Sequence, residues 1–194
     1  MKKIEKEEFL EGYWKQYLLL EEKTLDLEPY IFFSEKNLAV YSYEIMNLLF
    51  SVCSELDSFF KVVCNDKSDN IFEYIKSIKA KEIYNDIFEE KVDIVGKGFS
   101  ITPFVHKRRI QWWKQYNLLK HNRLKCFKNA NLKNLLNALA ALYILEIYYY
   151  KNNFGTKGYN MPKETSKLFK TTKLIKKGGS ISELEYEVVD EWEE

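Results

Sequence analysis

The sequence contains few of the residues that interrupt secondary structure, with only seven glycines and three prolines among 194 residues. A β-sandwich or barrel needs a turn about every 8 to 12 residues, and this chain lacks the residues for so many turns. Its 46% hydrophobic and 16% aromatic content is typical of a folded globular domain. The composition therefore favours a mainly α-helical bundle.

Long apolar segments and paired cysteines are also missing. The most apolar run, residues 138–145, is far shorter than the roughly 20 residues that a membrane-spanning helix needs. The charged first residues lack the apolar segment of a secretory signal. Cys53, Cys64 and Cys126 are widely spaced without a CxxC motif, which favours free thiols over a disulfide or metal site. We expect a cytoplasmic protein without a membrane segment, metal or cofactor.

Acidic residues are absent from residues 94–145, although the net charge of the whole chain is only +1. Both histidines, His106 and His121, lie in this acid-free block. Its ten basic residues are Lys97, Lys107, Arg108, Arg109, Lys114, Lys120, Arg123, Lys125, Lys128 and Lys133. They include every arginine of the chain, and the planar guanidinium suits phosphate or carboxylate. Two interpretations of the clustered arginines stay equally supported: a polyanion site, or a chance grouping together with pairing to the acidic N-terminal half.

Hydrophobic periodicity predicts the order of the elements. Helices are expected over residues 4–27, 37–64, 71–88, 108–124 and 132–151. Ser34 is the expected N-cap of the second helix, and Asn129 or Asn131 that of the last. Residues 91–104 alternate between apolar and polar side chains, and Gly96 and Gly98 allow a turn. This segment is therefore predicted as a short extended or β-hairpin insertion.

The C-terminal residues change in composition. Residues 163–177 hold six lysines, and residues 180–194 hold seven acids and no base. Adjacent blocks of opposite charge are typical of a solvated tail; an acidic end that covers the basic block is the less favoured alternative. We predict a single helical domain over residues 1–155 and a charged tail over 156–194, ordered in part at most.

The helix over residues 108–124 separates into two stripes when each residue advances about 100°. One stripe is predicted to face the core: Trp112, Tyr116 and Leu119, with Arg123 at its far end able to extend to solvent. The opposite stripe is polar: Lys114, Asn117 and His121. His121 suits proton transfer near neutral pH, Lys114 and Lys120 suit phosphate, and Asn117 suits the imidazole or a ribose hydroxyl. Trp113 is a candidate for stacking a base, with a core or interface role as the alternative.

The run YNLLKHNR, residues 116–123, on an internal helix followed by an apolar helix, resembles the signature of the HEPN superfamily. The resemblance implies a small, often dimeric all-α domain of bacterial abortive-infection and toxin–antitoxin systems. Many such domains cut RNA without metal, with Arg and His assisting attack by the 2′-hydroxyl. By resemblance, Asn117 corresponds to the polar residue of the family motif and His121 to its histidine. Arg123 corresponds to a basic residue that follows the motif. Tyr116 stands where the family has Arg, and Lys114 is the candidate substitute.

Two functional hypotheses follow. The first is a HEPN-like bacterial defence or toxin-type protein, a metal-independent endoribonuclease with His121, Asn117 and Lys114 as catalytic residues. The residues expected to bind nucleic acid are Lys107, Arg108, Arg109, Trp113, Lys120, Arg123 and Lys125. The alternative is a non-catalytic helical module that binds nucleic acid or an acidic partner protein. The expected partners are RNA or another polyanion, a second copy in a homodimer, and an antitoxin-like protein.

Overall fold

The computed structural model describes residues 4–64, 70–104, 110–156 and 161–171. Within these ranges the chain is mostly helical, with one small antiparallel sheet of three strands. The predicted mainly α-helical class is confirmed. No helix in the described ranges combines the length and the hydropathy needed to cross a lipid bilayer.

The helices follow the predicted order. They are α1 (Lys6–Phe9), α2 (Lys15–Leu25), α3 (Tyr43–Cys64), α4 (Ile71–Lys79), α5 (Gln111–His121), α6 (Arg123–Cys126) and α7 (Leu132–Phe154). A π-helical turn over Leu10–Trp14 joins α1 to α2, so residues 6–25 form one continuous helix. Short 3-10 segments cover Glu35–Asn37, Glu82–Glu89 and Phe127–Asn129.

The two most apolar helices, α3 and α7, pack along each other in parallel. At their beginnings, the backbone N–H of Leu132 donates to the carbonyl of Val40 at 2.9 Å, and that of Ser42 donates to Ala130 at 3.3 Å. Towards their ends, the rings of Phe59 and Tyr149 lie 5.3 Å apart. The N-termini of both helices therefore meet at one end of the bundle.

The start of α3 differs from the prediction. Ser34 makes no capping hydrogen bond, and α3 begins only at Tyr43, where the Ser42 hydroxyl accepts from the backbone N–H of Ile45 at 3.1 Å. Residues 38–42 instead pair with the chain just before α7, through a bridge between Tyr41 and Asn131. The predicted helix start near residue 37 is wrong because the carbonyls of Leu38 and Val40 accept from the backbone N–H groups of Lys133 and Leu132 instead of from a following helical turn.

The caps and ends of the other helices agree with the prediction in part. Asn131, one of the two expected caps of α7, accepts from the backbone N–H of Asn134 at 3.0 Å. Asn70 caps α4 in the same way. The predicted helix over residues 71–88 is α-helical only to Lys79 and continues as the 3-10 segment Glu82–Glu89.

The predicted hairpin is confirmed and forms part of a larger sheet. Strand β1 (Val92–Ile94) pairs with β2 (Ser100–Ile101), and Gly96 and Gly98 between them have φ of 68° and 71°, a conformation that favours glycine. On its other edge β1 pairs with β3 (Phe169–Thr171), so the strand order is β2-β1-β3.

Part of the segment predicted as a tail packs on the helical core. The buried Glu21 carboxylate of α2 accepts from the backbone N–H groups of Lys167 at 2.9 Å and Leu168 at 3.3 Å. The indole of Trp14 donates to the carbonyl of Glu164 at 2.9 Å. The rest of the predicted tail, residues 157–160 and 172–194, lies outside the described residues. The third strand is the element that the charge pattern did not indicate.

The three cysteines carry free thiols, as predicted. Cys53 and Cys64 are buried, and Cys126 is half-buried. Burial raises the pKa of the Cys53 thiol well above its ordinary value, which favours an inert packing role because the thiolate is the reactive form.

Candidate nucleic-acid interface

Helix α5 lies antiparallel to α3 and carries the candidate motif. The ring of Trp113, near the start of α5, lies 6.3 Å from that of Phe60 late in α3. One turn further on, Tyr116 lies 5.6 Å from Phe50, earlier in α3. The end of α5, with His121, is therefore directed towards the end of the bundle where α3 and α7 begin.

The two stripes predicted for α5 are observed within the helix, but Arg123, the last residue of the predicted core stripe, lies beyond the end of α5 and is exposed. Trp112 and Leu119 are buried in the core, and the Trp112 indole donates to the carbonyl of Pro103 at 2.9 Å. On the opposite stripe Lys114 and His121 are exposed and Asn117 is half-buried. The predicted polar face of α5 is thus available to solvent.

Trp113 does not fit the base-stacking role. Only 7% of it is exposed, and its ring contacts those of Phe60, Trp112 and Tyr116. Its position between the two stripes gave no clear indication of burial, but α3 covers that side of α5. Trp113 is a core residue, which corrects its assignment to nucleic-acid binding.

The helix breaks at Asn122, where φ is −147° and ψ is 58°. The backbone N–H of Asn122 still donates to Leu118 at 2.8 Å, while its carbonyl accepts from Cys126 at 3.0 Å and starts α6. On an uninterrupted helix Arg123 would lie roughly 160° around the axis from His121. The break removes that constraint and puts Arg123 at the start of a separate helix.

The polar stripe of α5 is only partly a cluster. Asn117 and His121 lie one turn apart, and among the described residues no hydrogen bond joins their side chains. Lys114 lies two turns before His121, about 10 Å along the axis. The structure therefore brings Asn117 close to His121 but leaves Lys114 at a distance. Lys107, Arg108 and Arg109 lie outside the described residues.

Exposed cations collect where α5 ends and α7 begins, and we call this surface the basic end. Its members are Lys120, His121, Arg123, Lys125, Lys128 and Lys133, all exposed. Within the described ranges none of them forms an ion pair; the ion pairs present involve lysines of α2, α3, α4 and the hairpin. Lys128 and Lys133 were not among the predicted site residues, although their place in the acid-free block was a signal for them.

The backbone adds positive potential at the same place. The N-terminus of an α-helix carries about half a positive charge, and the N-termini of α3 and α7, helices of 22 and 23 residues, meet beside the 3-10 segment Phe127–Asn129. Glu44, in the first turn of α3, is an exposed acid at this end. Cations outnumber this acid. The first N–H groups of α7 are already bonded to Val40, Leu38 and Asn131, so an anion would meet the side-chain cations rather than backbone N–H groups.

The groups whose pKa values are raised most lie in the interior. Burial, and then the neighbouring Glu55, raises the pKa of Glu146 in α7 well above its ordinary value. Among the described residues neither of its carboxylate oxygens has a hydrogen-bond partner. Burial and the hydrogen bond to Glu90 raise the pKa of Tyr148. Burial also raises the pKa of Tyr84 to about 12.

A metal centre finds no support in the described part of the chain, where no group of three His, Cys, Asp or Glu residues could hold an ion. No protein family, no curated protein and no solved structure matches this chain.

Proposed function

We propose that the protein binds RNA at the basic end. The observation that supports this most is the set of exposed cations, from Lys120 to Lys133, without acidic partners among the described residues. Phosphates would neutralise these side chains and release counterions, which supplies most of the affinity in sequence-independent binding. An acidic partner protein is the competing ligand.

The experiment is a binding titration of a fluorescent single-stranded RNA, followed by anisotropy. The informative variant replaces Lys120, Arg123 and Lys125 by Ala together. A matched control is Lys76→Ala, since Lys76 is exposed but lies in α4, which packs at the far end of α3 through Phe60 and Tyr74. We expect the triple variant to lose most of the affinity and the control to retain it. Equal affinities would contradict the proposal.

The second candidate is catalytic: a metal-independent endoribonuclease of a cytoplasmic, HEPN-like bacterial defence or toxin-type system. His121 supports it, because the imidazole is exposed at the last residue of α5, one turn after Asn117 and directly before the break at Asn122. The ribose 2′-oxygen would attack the adjacent phosphate, forming a cyclic phosphate and releasing the 5′-oxygen. In the overall step the 2′-hydroxyl loses its proton and the departing 5′-oxygen gains one; His121 would act as the general base or acid in this transfer, and Arg123 would neutralise the phosphate. Cleavage of RNA in excess EDTA tests this reaction.

A homodimer would allow Arg123 of one copy to complete the site of another. Light scattering at micromolar concentration tests whether the protein is dimeric. Mixing a His121→Ala protomer with an Arg123→Ala protomer tests whether the site is shared, since only a shared site regains cleavage in the mixture.

An antitoxin-like partner protein would occupy the same basic end and should compete with RNA for it.

A further inference from the structure

Two tyrosines are exposed beside the basic end. Tyr41 is 45% exposed and Tyr43 is 68% exposed, and both contact the ring of Phe127. The ring centroids of Tyr43 and Phe127 lie 4.6 Å apart with the planes tilted by 40°. Tyr41 meets Phe127 edge-on at 5.5 Å. These three residues, which we call the aromatic cluster, form an apolar surface that the described part of the fold leaves open.

The backbone holds the aromatic cluster in place. Tyr41 forms a bridge with Asn131, Tyr43 is the first residue of α3, and Phe127 begins a 3-10 segment. All three are thus attached to the junction where α3 and α7 begin. Rings fixed in this way lose little conformational freedom when they bind a flat ligand.

Charge around the aromatic cluster indicates the kind of ligand. Phe127 lies between Lys125 and Lys128, which are both exposed, and the N-termini of α3 and α7 add positive potential. Glu44 is the acid that follows Tyr43 in the chain. Exposed aromatic rings beside a basic surface are the combination that single-stranded nucleic acid requires, since its bases stack while its phosphates meet the cations.

We propose that the aromatic cluster stacks unpaired nucleobases, so that the ligand of the basic end is single-stranded rather than duplex RNA. This inference rests on the proposed RNA binding and adds its substrate class. The bases of a duplex are already stacked and paired, and recognition of duplex RNA relies on shape and backbone contacts. The cluster also supplies the stacking surface that the buried Trp113 cannot offer.

The test compares oligouridine with an RNA duplex of equal phosphate number. In the first variant Tyr41 and Tyr43 are both replaced by Leu, which keeps apolar bulk and removes the rings. In the second both are replaced by Phe, which keeps the rings. The matched control is Phe72→Leu, an aromatic residue 58% exposed in α4. Circular dichroism and thermal unfolding confirm that each variant is folded.

We expect the double Leu variant to bind oligouridine at least about tenfold more weakly, with duplex binding unchanged. The double Phe variant and Phe72→Leu should bind like the wild type. If oligouridine binding is unchanged in the double Leu variant, or if duplex binding falls equally, stacking is refuted and RNA binding stands. If the wild type binds neither RNA, the proposed function itself fails, and this inference with it.

Discussion

Charged side chains have different surroundings in the interior around α7 and at the basic end. In the interior the Glu21 carboxylate accepts hydrogen bonds from backbone N–H groups, and Glu90 accepts a hydrogen bond from the hydroxyl of Tyr148 at 2.6 Å. At the basic end the cations are exposed and have no acidic partner among the described residues. Interior polar groups are thus mostly satisfied by the fold, whereas the cations of the basic end are exposed to solvent.

The largest effect is expected from replacing His121 at the basic end. If this residue transfers a proton during RNA cleavage, His121→Ala should lower the cleavage rate by about 10²–10⁴-fold. Binding should be nearly unchanged, because the surrounding lysines and Arg123 provide the charge. Single-turnover cleavage measured in EDTA beside an anisotropy titration separates the two effects. Full cleavage by the variant would make the basic end a binding surface only.

Two leucines test the difference in packing between the core and the basic end. Leu139 is fully buried in α7, whereas Leu124 is 96% exposed in α6. Leu139→Ala should lower the free energy of unfolding by about 2–5 kcal/mol, because it leaves a cavity in the core. Leu124→Ala should change it by no more than about 0.5 kcal/mol. Urea unfolding of both variants makes the measurement, and similar losses would contradict the assigned burial.

Glu146 is the ionisable group in the interior whose oxygens have no hydrogen-bond partner among the described residues, and it predicts a pH dependence. Its folded-state pKa lies well above the ordinary value of 4.5 because of burial and the proximity of Glu55. The unfolded chain releases the proton near 4.5 while the folded chain retains it. The contribution of Glu146 to the free energy of unfolding should therefore be highest below that pH. It should decline as pH rises towards the folded pKa, by about 1.4 kcal/mol per unit of pKa difference.

Glu146→Gln isolates this contribution, because the amide has a similar shape and does not titrate. The variant and the wild type should have similar free energies of unfolding at acid pH, and the variant should be the more stable at alkaline pH. Glu55→Gln, at a half-buried residue, should give a smaller change. Denaturant unfolding across the pH range makes the comparison. Parallel profiles for the wild type and Glu146→Gln would show that Glu146 does not titrate as assigned.

The sequence predicted those features that depend on local periodicity and capping. Trp112 and Leu119 repeat at helical spacing and are buried, and Asn131 caps α7 as expected. The start of α3 was missed because Ser34 and Ser42 are equally good caps by residue type. Only the tertiary pairing of residues 38–42 with the chain before α7 selects Ser42.

Features of the site that depend on long-range contacts could not be predicted in the same way. Trp113 is buried because Phe60 of α3 covers it, and no property of α5 alone indicates this. Strand β3 is recruited by pairing with β1, more than seventy residues earlier in the chain. The exposure of Tyr41 and Tyr43 was not predicted either, because it depends on α3 beginning at Tyr43 rather than near residue 37. The polar stripe of α5, in contrast, was readable from spacing alone.

The most direct test of RNA binding at the basic end is the salt dependence of affinity. For a single strand, the logarithm of the binding constant falls with the logarithm of salt concentration by about 0.7 for each phosphate contact. We predict a steep decline for the wild type, and a slope shallower by up to about 2 when Lys120, Arg123 and Lys125 are replaced by Ala. Lys76→Ala should keep the wild-type slope. Identical slopes for the wild type and the triple variant would contradict the account.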